Sequence, residues 1–146
     1  MADKRTTIPR REFLTWVTAG TGFALEGLFG CATAITYRGT VVGGRIAVAR
    51  SELEQLGASD KPVVVRAPDL PAPVILIPID ADNFRAVSAE CTHLGCHVRP
   101  SGKFLVCPCH GSTFDLAGEI VRGPAPSPLP TYPVETKENQ IEIIIF

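Results

Sequence analysis

The 146-residue sequence has little net charge, no internal repeat and almost no helical periodicity beyond residue 38. Its 14 Lys and Arg side chains nearly balance 15 Asp and Glu side chains, and the formal net charge is -1. This balance excludes the strongly basic surface that is typical of nucleic-acid-binding proteins. The length allows one domain of ordinary size and leaves little room for a second.

Short β-type runs separated by Gly, Pro and Asp predict an antiparallel all-β domain. The chain has 13 prolines, and their concentration between residues 100 and 133 opposes long helices and favours rigid loops. Ser51 and Glu54 match a capping box and predict one short helical turn through Gln55. The predicted strands are residues 45–49, 63–66, 74–77, 84–89, 103–106, 119–121 and 140–145.

The amino terminus resembles a twin-arginine export signal, because Arg10 and Arg11 stand directly before an apolar run. As a helix, residues 13–35 would be about 35 Å long, enough to cross a hydrocarbon core of about 30 Å. We therefore expect residues 1–37 to form the signal and a single transmembrane anchor. The domain that follows would lie on the outer side of a bacterial cytoplasmic membrane.

Three alternatives for this segment stay open. Cations beside an apolar span also mark a plain cytoplasmic flank of a membrane helix. Residues 32–34, Ala-Thr-Ala, match a signal-peptidase site, and cleavage after Ala34 would release the rest of the chain. Residues 28–31 weakly resemble a lipoprotein box with Cys31 as the lipidated residue.

Downstream of the amino-terminal segment, the glycines of residues 38–44 predict a flexible joint. Residues 45–146 are predicted to form the folded domain.

Four of the five cysteines fall into two compact groups, and each group also carries a histidine. The first group reads C-T-H-L-G-C over residues 91–96, and the second reads C-P-C-H-G-S over residues 107–112. Each group therefore supplies one thiolate and one imidazole at a spacing that lets a single loop offer both to a metal. The candidate ligands are Cys91, His93, Cys107 and His110.

Two kinds of metal site use two thiolates and two imidazoles. A structural zinc site arranges them in a tetrahedron around one ion. A Rieske-type 2Fe-2S cluster takes both thiolates on one iron and both imidazoles on the other. The zinc site leaves the remaining cysteine of each group, Cys96 and Cys109, without a role.

The two groups closely resemble those of the Rieske iron-sulfur family, in particular its quinol-oxidising members. The resemblance implies one 2Fe-2S cluster on the four candidate ligands and a disulfide between Cys96 and Cys109. It also implies a small cluster-binding subdomain, at about residues 90–126, within the antiparallel β domain. A disulfide persists only in an oxidising compartment, which agrees with export.

The same resemblance assigns roles to residues around the cluster. Leu94 and Gly95 would shield it from water, and the Ser112 hydroxyl would donate to a bridging sulfide and raise the reduction potential. Phe114 departs from the high-potential members, which have tyrosine there, and predicts a lower potential. The proline loop that covers the cluster in quinol-oxidising members is matched by Gly123, Pro124, Ala125 and Pro126.

The resemblance implies the iron-sulfur subunit of a cytochrome bc-type complex, a quinol:cytochrome c oxidoreductase. Its partners would be a cytochrome b-type membrane subunit, a c-type cytochrome and a quinol, and Phe114 favours menaquinol. His110 would accept the hydrogen bond of the quinol and take up a proton with the electron. The chain has no C-x-x-C-H motif, so any haem belongs to the partners. The small subunit of a molybdenum oxidoreductase, such as arsenite oxidase, and a stand-alone exported Rieske ferredoxin remain alternatives.

Overall fold

The computed structural model describes residues 34–146. Arg10, Arg11, Cys31 and nearly all of the predicted anchor lie outside these residues. Within residues 34–146, no helix has both the length and the hydropathy needed to span a membrane.

Short strands dominate the described part, as the sequence predicts. They form a five-stranded sheet of order β1-β3-β4-β5-β10, a three-stranded sheet β11-β12-β2 and a four-stranded sheet β6-β7-β8-β9. Neighbouring strands are antiparallel except β1 and β3, which are parallel. The elements are β1 (Thr36–Arg38), β2 (Arg45–Ala49), α1 (Arg50–Gln55), β3 (Val63–Arg66), β4 (Val74–Pro78), β5 (Phe84–Ser88), β6 (Arg99–Ser101), β7 (Phe104–Val106), β8 (Thr113–Asp115), β9 (Ile120–Arg122), β10 (Thr131–Tyr132), β11 (Val134–Thr136) and β12 (Gln140–Ile144).

The five-stranded sheet is buried on both faces, which explains the unbroken apolar run in β4. Val74 and Leu76 belong to a core shared with β2 and β12 of the three-stranded sheet. Ile75 and Ile77 point the other way, into a core shared with Leu105 of the four-stranded sheet. This alternation follows from the two-residue period of a strand. The second core also contains Cys91 and Cys107, so the cysteine-bearing loops pack against the five-stranded sheet.

All seven predicted strands are confirmed to within one residue at each end. The strands that the sequence did not predict, β1, β6, β8, β10 and β11, are only two or three residues long. Runs this short show little alternation, although two strands of the same length, β7 and β9, were predicted. The predicted antiparallel all-β domain is confirmed, and it contains one parallel pair, β1 with β3.

The predicted short helix is confirmed as α1, but its predicted capping box is wrong. The helix begins directly after β2, its N-cap is Ala49, and no side chain caps it. Ser51 therefore lies inside the first turn, where its hydroxyl is not in the N-cap position.

Backbone hydrogen bonds hold the described residues of the predicted joint. The Gly39 N–H donates to the Arg66 carbonyl (2.9 Å), and Val42 and Arg45 exchange two hydrogen bonds across a tight turn. Motion about residues 38–44 stays a prediction.

Candidate metal centre

The first loop, residues 91–96, follows β5 and folds back on itself. The Cys91 N–H donates to the Cys96 carbonyl (2.8 Å), and the Gly95 N–H donates to the Cys91 carbonyl (2.9 Å). Gly95 has φ +74°, a conformation that glycine adopts without steric cost. These bonds bring both ends of the loop together around the Cys91 side chain.

The second loop, residues 107–112, joins β7 to β8 and repeats this arrangement. The Cys107 N–H donates to the Ser112 carbonyl (2.8 Å), and the Gly111 N–H donates to the Cys107 carbonyl (3.1 Å). Gly111 has φ +73°. The two loops thus have the same hydrogen-bond frame and present their first cysteine in the same way.

A disulfide ties the two loops together. It joins Cys96 of the first loop to Cys109 of the second, with the Cα atoms 6.5 Å apart. The pairing implied by the family resemblance is therefore confirmed. The Cys107 sulfur lies within 4.8 Å of both disulfide sulfurs but is not bonded to either.

Cys91 and Cys107 are buried free thiols that lie close to each other. Burial raises the pKa of the Cys91 thiol, the neighbouring Cys107 raises it further, and the His93 backbone N–H opposes both effects. The Ser112 hydroxyl also faces this thiol, although it forms no well-aligned hydrogen bond there. A bound cation reverses this preference for the neutral thiol, since a metal-coordinating thiol is deprotonated.

The two candidate histidines converge from the two loops. Their Nδ1 atoms are 3.3 Å apart, and the rings stand perpendicular with centroids 4.7 Å apart. His93 is partly exposed and His110 is exposed. The structure therefore brings all four predicted ligands to the facing loops, with thiols on the buried side and imidazoles on the solvent side.

The surroundings fit a 2Fe-2S cluster. The donor set offers two soft thiolates for one iron and two imidazoles for the other. The Ser112 side chain is 0% exposed, and its Oγ has no hydrogen-bond partner among the described residues. A buried hydroxyl without a partner is uncommon in native proteins and indicates an acceptor from outside the chain. A cluster sulfide would supply one.

The other predicted site residues line the same region. Leu94 is 69% exposed beside His93, and Phe114 is fully buried in the core that contains the two free thiols. Gly123 (φ +106°) packs so closely that a Cβ there would lie 2.5 Å from the Ser112 Cα. The segment that follows has Ala125 buried and its prolines exposed.

One contact at the site was not predicted from the sequence. The Thr92 hydroxyl donates to the Ser127 carbonyl (2.6 Å) and ties the first loop to the proline segment. A threonine inside a ligand motif carries no pattern that indicates a bond to a residue 35 positions away. Only the fold brings these residues together.

Two facing loops, each with a cysteine and a histidine, lie on an antiparallel β scaffold. This arrangement is typical of iron-sulfur proteins whose cluster is bound by both thiolates and imidazoles. Residues 38–133 match the family model described as the Rieske [2Fe-2S] domain. The chain belongs to this family, and its cofactor is a Rieske-type 2Fe-2S cluster.

Among curated proteins, the chain is similar to iron-sulfur subunits of cytochrome b6-f complexes. It is 34% identical to that of Prochlorococcus marinus (strain NATL1A) and 32% identical to subunit 1 of Nostoc sp. (strain PCC 7120). Each match covers 90% of this chain and 82% of the relative. Among solved structures, it resembles the cyanobacterial plasma membrane Rieske protein of Synechocystis PCC 6803, with 32% identity and TM-score 0.53. That match covers 65% of this chain and 93% of the other.

Proposed function

We propose that this chain is the Rieske subunit of a quinol-oxidising cytochrome bc-type complex and transfers one electron at a time. The observation that carries the proposal is the convergence of His93 and His110 on the solvent side of two buried free thiols. The disulfide and the segment packed on Ser112 support the quinol-oxidising branch. The similarity to cytochrome b6-f subunits supports it as well.

Burial supports an assignment of the proposed ligands to the two irons. Cys91 and Cys107 are about 1% exposed and would hold the inner iron, while His93 and His110 would hold the outer one. When bound, the cluster takes up and gives out one electron. Cys91 and Cys107 would bind as thiolates, because a metal-coordinating thiol is deprotonated even where burial raises its pKa.

His110 is the residue proposed to contact the quinol. The Nδ1 atoms of the two rings converge, so these nitrogens would face the metal and Nε2 of each ring would face outward. Nε2 of the exposed His110 would accept the hydrogen bond of the quinol hydroxyl and take up its proton with the electron. The exposed Leu94 would contact apolar parts of the quinol site.

The partners in this proposal are a cytochrome b-type membrane subunit and a c-type cytochrome that receives the electron. The absence of a tyrosine hydroxyl at Phe114 lowers the potential and favours menaquinol as the donor. The proposed membrane location depends on Arg10, Arg11 and the apolar residues 13–35, nearly all of which lie outside the described residues.

Isolation of the native complex tests the proposal. The full chain carries an affinity tag at its carboxyl terminus in its own organism, and the membranes are dissolved in mild detergent. We expect cytochrome b- and c-type haems to co-purify with an iron-sulfur signal that quinol reduces. A molybdenum-containing partner, or a chain that purifies alone, would overturn the assignment. The tagged Cys91→Ser variant is the control, since it should give no such signal.

A further inference from the structure

Glu90 places a carboxylate beside the first loop, directly before the ligand Cys91. Its backbone is fixed, because the Glu90 N–H donates to the Ser88 hydroxyl (3.0 Å) and Glu90 forms a bridge with His97. The side chain lies against the loop, since a Cβ on Gly95 would be 3.4 Å from the Glu90 Oε1.

The carboxylate shares an open cleft of about 360 Å³ with the ligand itself. Its lining includes Glu90, Cys91, Thr92 and Gly95. Within the described part of the chain, the ion pairs join Arg45, Arg50 or Lys137 to other carboxylates and leave Glu90 out. The carboxylate of Glu90 therefore lies at the flank of the site without an ion-pair partner in those residues.

We infer that Glu90 lowers the reduction potential of the cluster through its charge and so helps to set which quinol this protein oxidises. The inference rests on the proposed function. Reduction adds one negative charge at the metal site, and a nearby carboxylate makes that addition less favourable. Glu90 is not one of the four proposed ligands, so its effect is electrostatic.

Coulomb's law sets the expected size. For a solvated pair roughly 9 Å apart, with an effective dielectric constant of about 40 to 80, the interaction gives on the order of a two- to five-fold change in the equilibrium constant for electron transfer. At 59 mV per tenfold for one electron, this corresponds to a shift of about 20 to 40 mV.

Voltammetry of the full chain in detergent tests the inference with Glu90→Gln and Glu90→Lys. Glu90→Gln removes the charge and should raise the midpoint potential, by an amount that corresponds to about a two- to five-fold change in the equilibrium constant. Glu90→Lys reverses the charge and should shift the potential about twice as far. All measurements use one fixed pH. Glu54→Gln, an exposed carboxylate on α1, is the control and should leave the potential unchanged.

Ionic strength separates a charge effect from a structural one. The Debye length falls from about 30 Å at 0.01 M salt to about 3 Å at 1 M, so the Glu90→Gln shift should shrink as salt is added. A shift that ignores salt, or one that equals that of Glu54→Gln, would overturn the inference. A wild-type chain without a reversible one-electron couple would overturn the proposed function and the inference together. A normal wild-type couple with no shift in either Glu90 variant would overturn the inference alone.

Discussion

The two ligand loops have one backbone frame and different side chains. In each, the first cysteine donates to the carbonyl five residues later and accepts from a glycine with φ near +74°. The sixth position differs: the first loop has Cys96, which enters the disulfide, and the second has Ser112, which is fully buried. The shared frame therefore positions the first cysteine of each loop in the same way, while the residues at the sixth position have different roles.

The loops also differ in what covers them. The first is tied to the proline segment by one hydrogen bond from Thr92 to Ser127. The second is held by van der Waals contact, because Gly123 packs directly on Ser112. We therefore expect a change at Gly123 to destabilise the second loop more than a change at Ser127 destabilises the first.

Removal of one thiolate has the largest expected effect. Because the two frames are equivalent, Cys107→Ser and Cys91→Ser should each abolish cluster binding. Iron and acid-labile sulfide analysis and the visible absorption of the purified chain measure this result. Cys31→Ser, which changes the cysteine outside both loops, should keep the full cluster content. A cluster retained in only one of the two ligand variants would contradict the equivalence of the loops.

Loss of the disulfide should destabilise both loops without removing a ligand. Cys96 and Cys109 are 13 residues apart, and a crosslink that closes a loop of this length contributes about 3 kcal/mol. The Cys96→Ser/Cys109→Ser double variant should therefore bind the cluster and release it at lower denaturant concentration. Wild type treated with a thiol reductant should behave in the same way. Equal midpoints for the variant and the oxidised wild type would show that the shared frame suffices alone.

The variants Gly95→Ala and Gly123→Ala compare how tightly the two loops are packed. Gly95 and Gly123 both have positive φ, so alanine adds strain of about 1 to 3 kcal/mol at each. At Gly95 the nearest atom is a flexible carboxylate oxygen 3.4 Å from the added Cβ, whereas at Gly123 it is the Ser112 Cα at 2.5 Å. Gly123→Ala should therefore lose about 2 kcal/mol more in denaturant unfolding than Gly95→Ala. Equal losses would contradict the close packing on the second loop.

What the sequence predicts correctly is local. The ligand groups each span six residues, so their composition and order are visible directly, and the strands of five residues show their alternation or their apolar run. The helix α1 was found from nearby residues, although its N-cap was placed wrongly, because the helix starts as β2 ends.

What the sequence does not predict depends on residues far apart in the chain. The contact of Gly123 with Ser112 and the bond from Thr92 to Ser127 exist only because β8 and β9 pair and return the chain to the loops. The parallel pairing of β1 with β3 also depends on the fold, because the three residues of β1 do not indicate which strand they pair with. The disulfide was found through family resemblance, since two cysteines in neighbouring motifs do not by themselves state their pairing.

Ser112→Ala removes a buried hydroxyl from the sixth position of the second loop. The first loop has the disulfide cysteine Cys96 at that position. If this hydroxyl donates to a sulfide of the reduced cluster, its loss should lower the midpoint potential. A hydrogen bond to a charged group contributes about 1.5 to 3 kcal/mol, which corresponds to about 60 to 130 mV for one electron. Thr113→Ala is the matched control, since its hydroxyl already donates to the Gly111 carbonyl (3.2 Å). Equal shifts in the two variants would argue against a specific role for Ser112.

Phe114→Tyr adds a donor next to the second loop. The ring is 0% exposed and belongs to the core that holds Cys91 and Cys107, so an added hydroxyl has to find its acceptor there. If that acceptor is a ligand sulfur, the bond stabilises the reduced cluster by about 1 kcal/mol and raises the midpoint potential by about 40 mV. Phe104→Tyr, on a half-buried ring of β7, should leave the potential unchanged. Absence of an upward shift in Phe114→Tyr would refute the link between this residue and a menaquinol donor, and the Glu90 charge would then be the remaining feature in the described residues that favours a low potential.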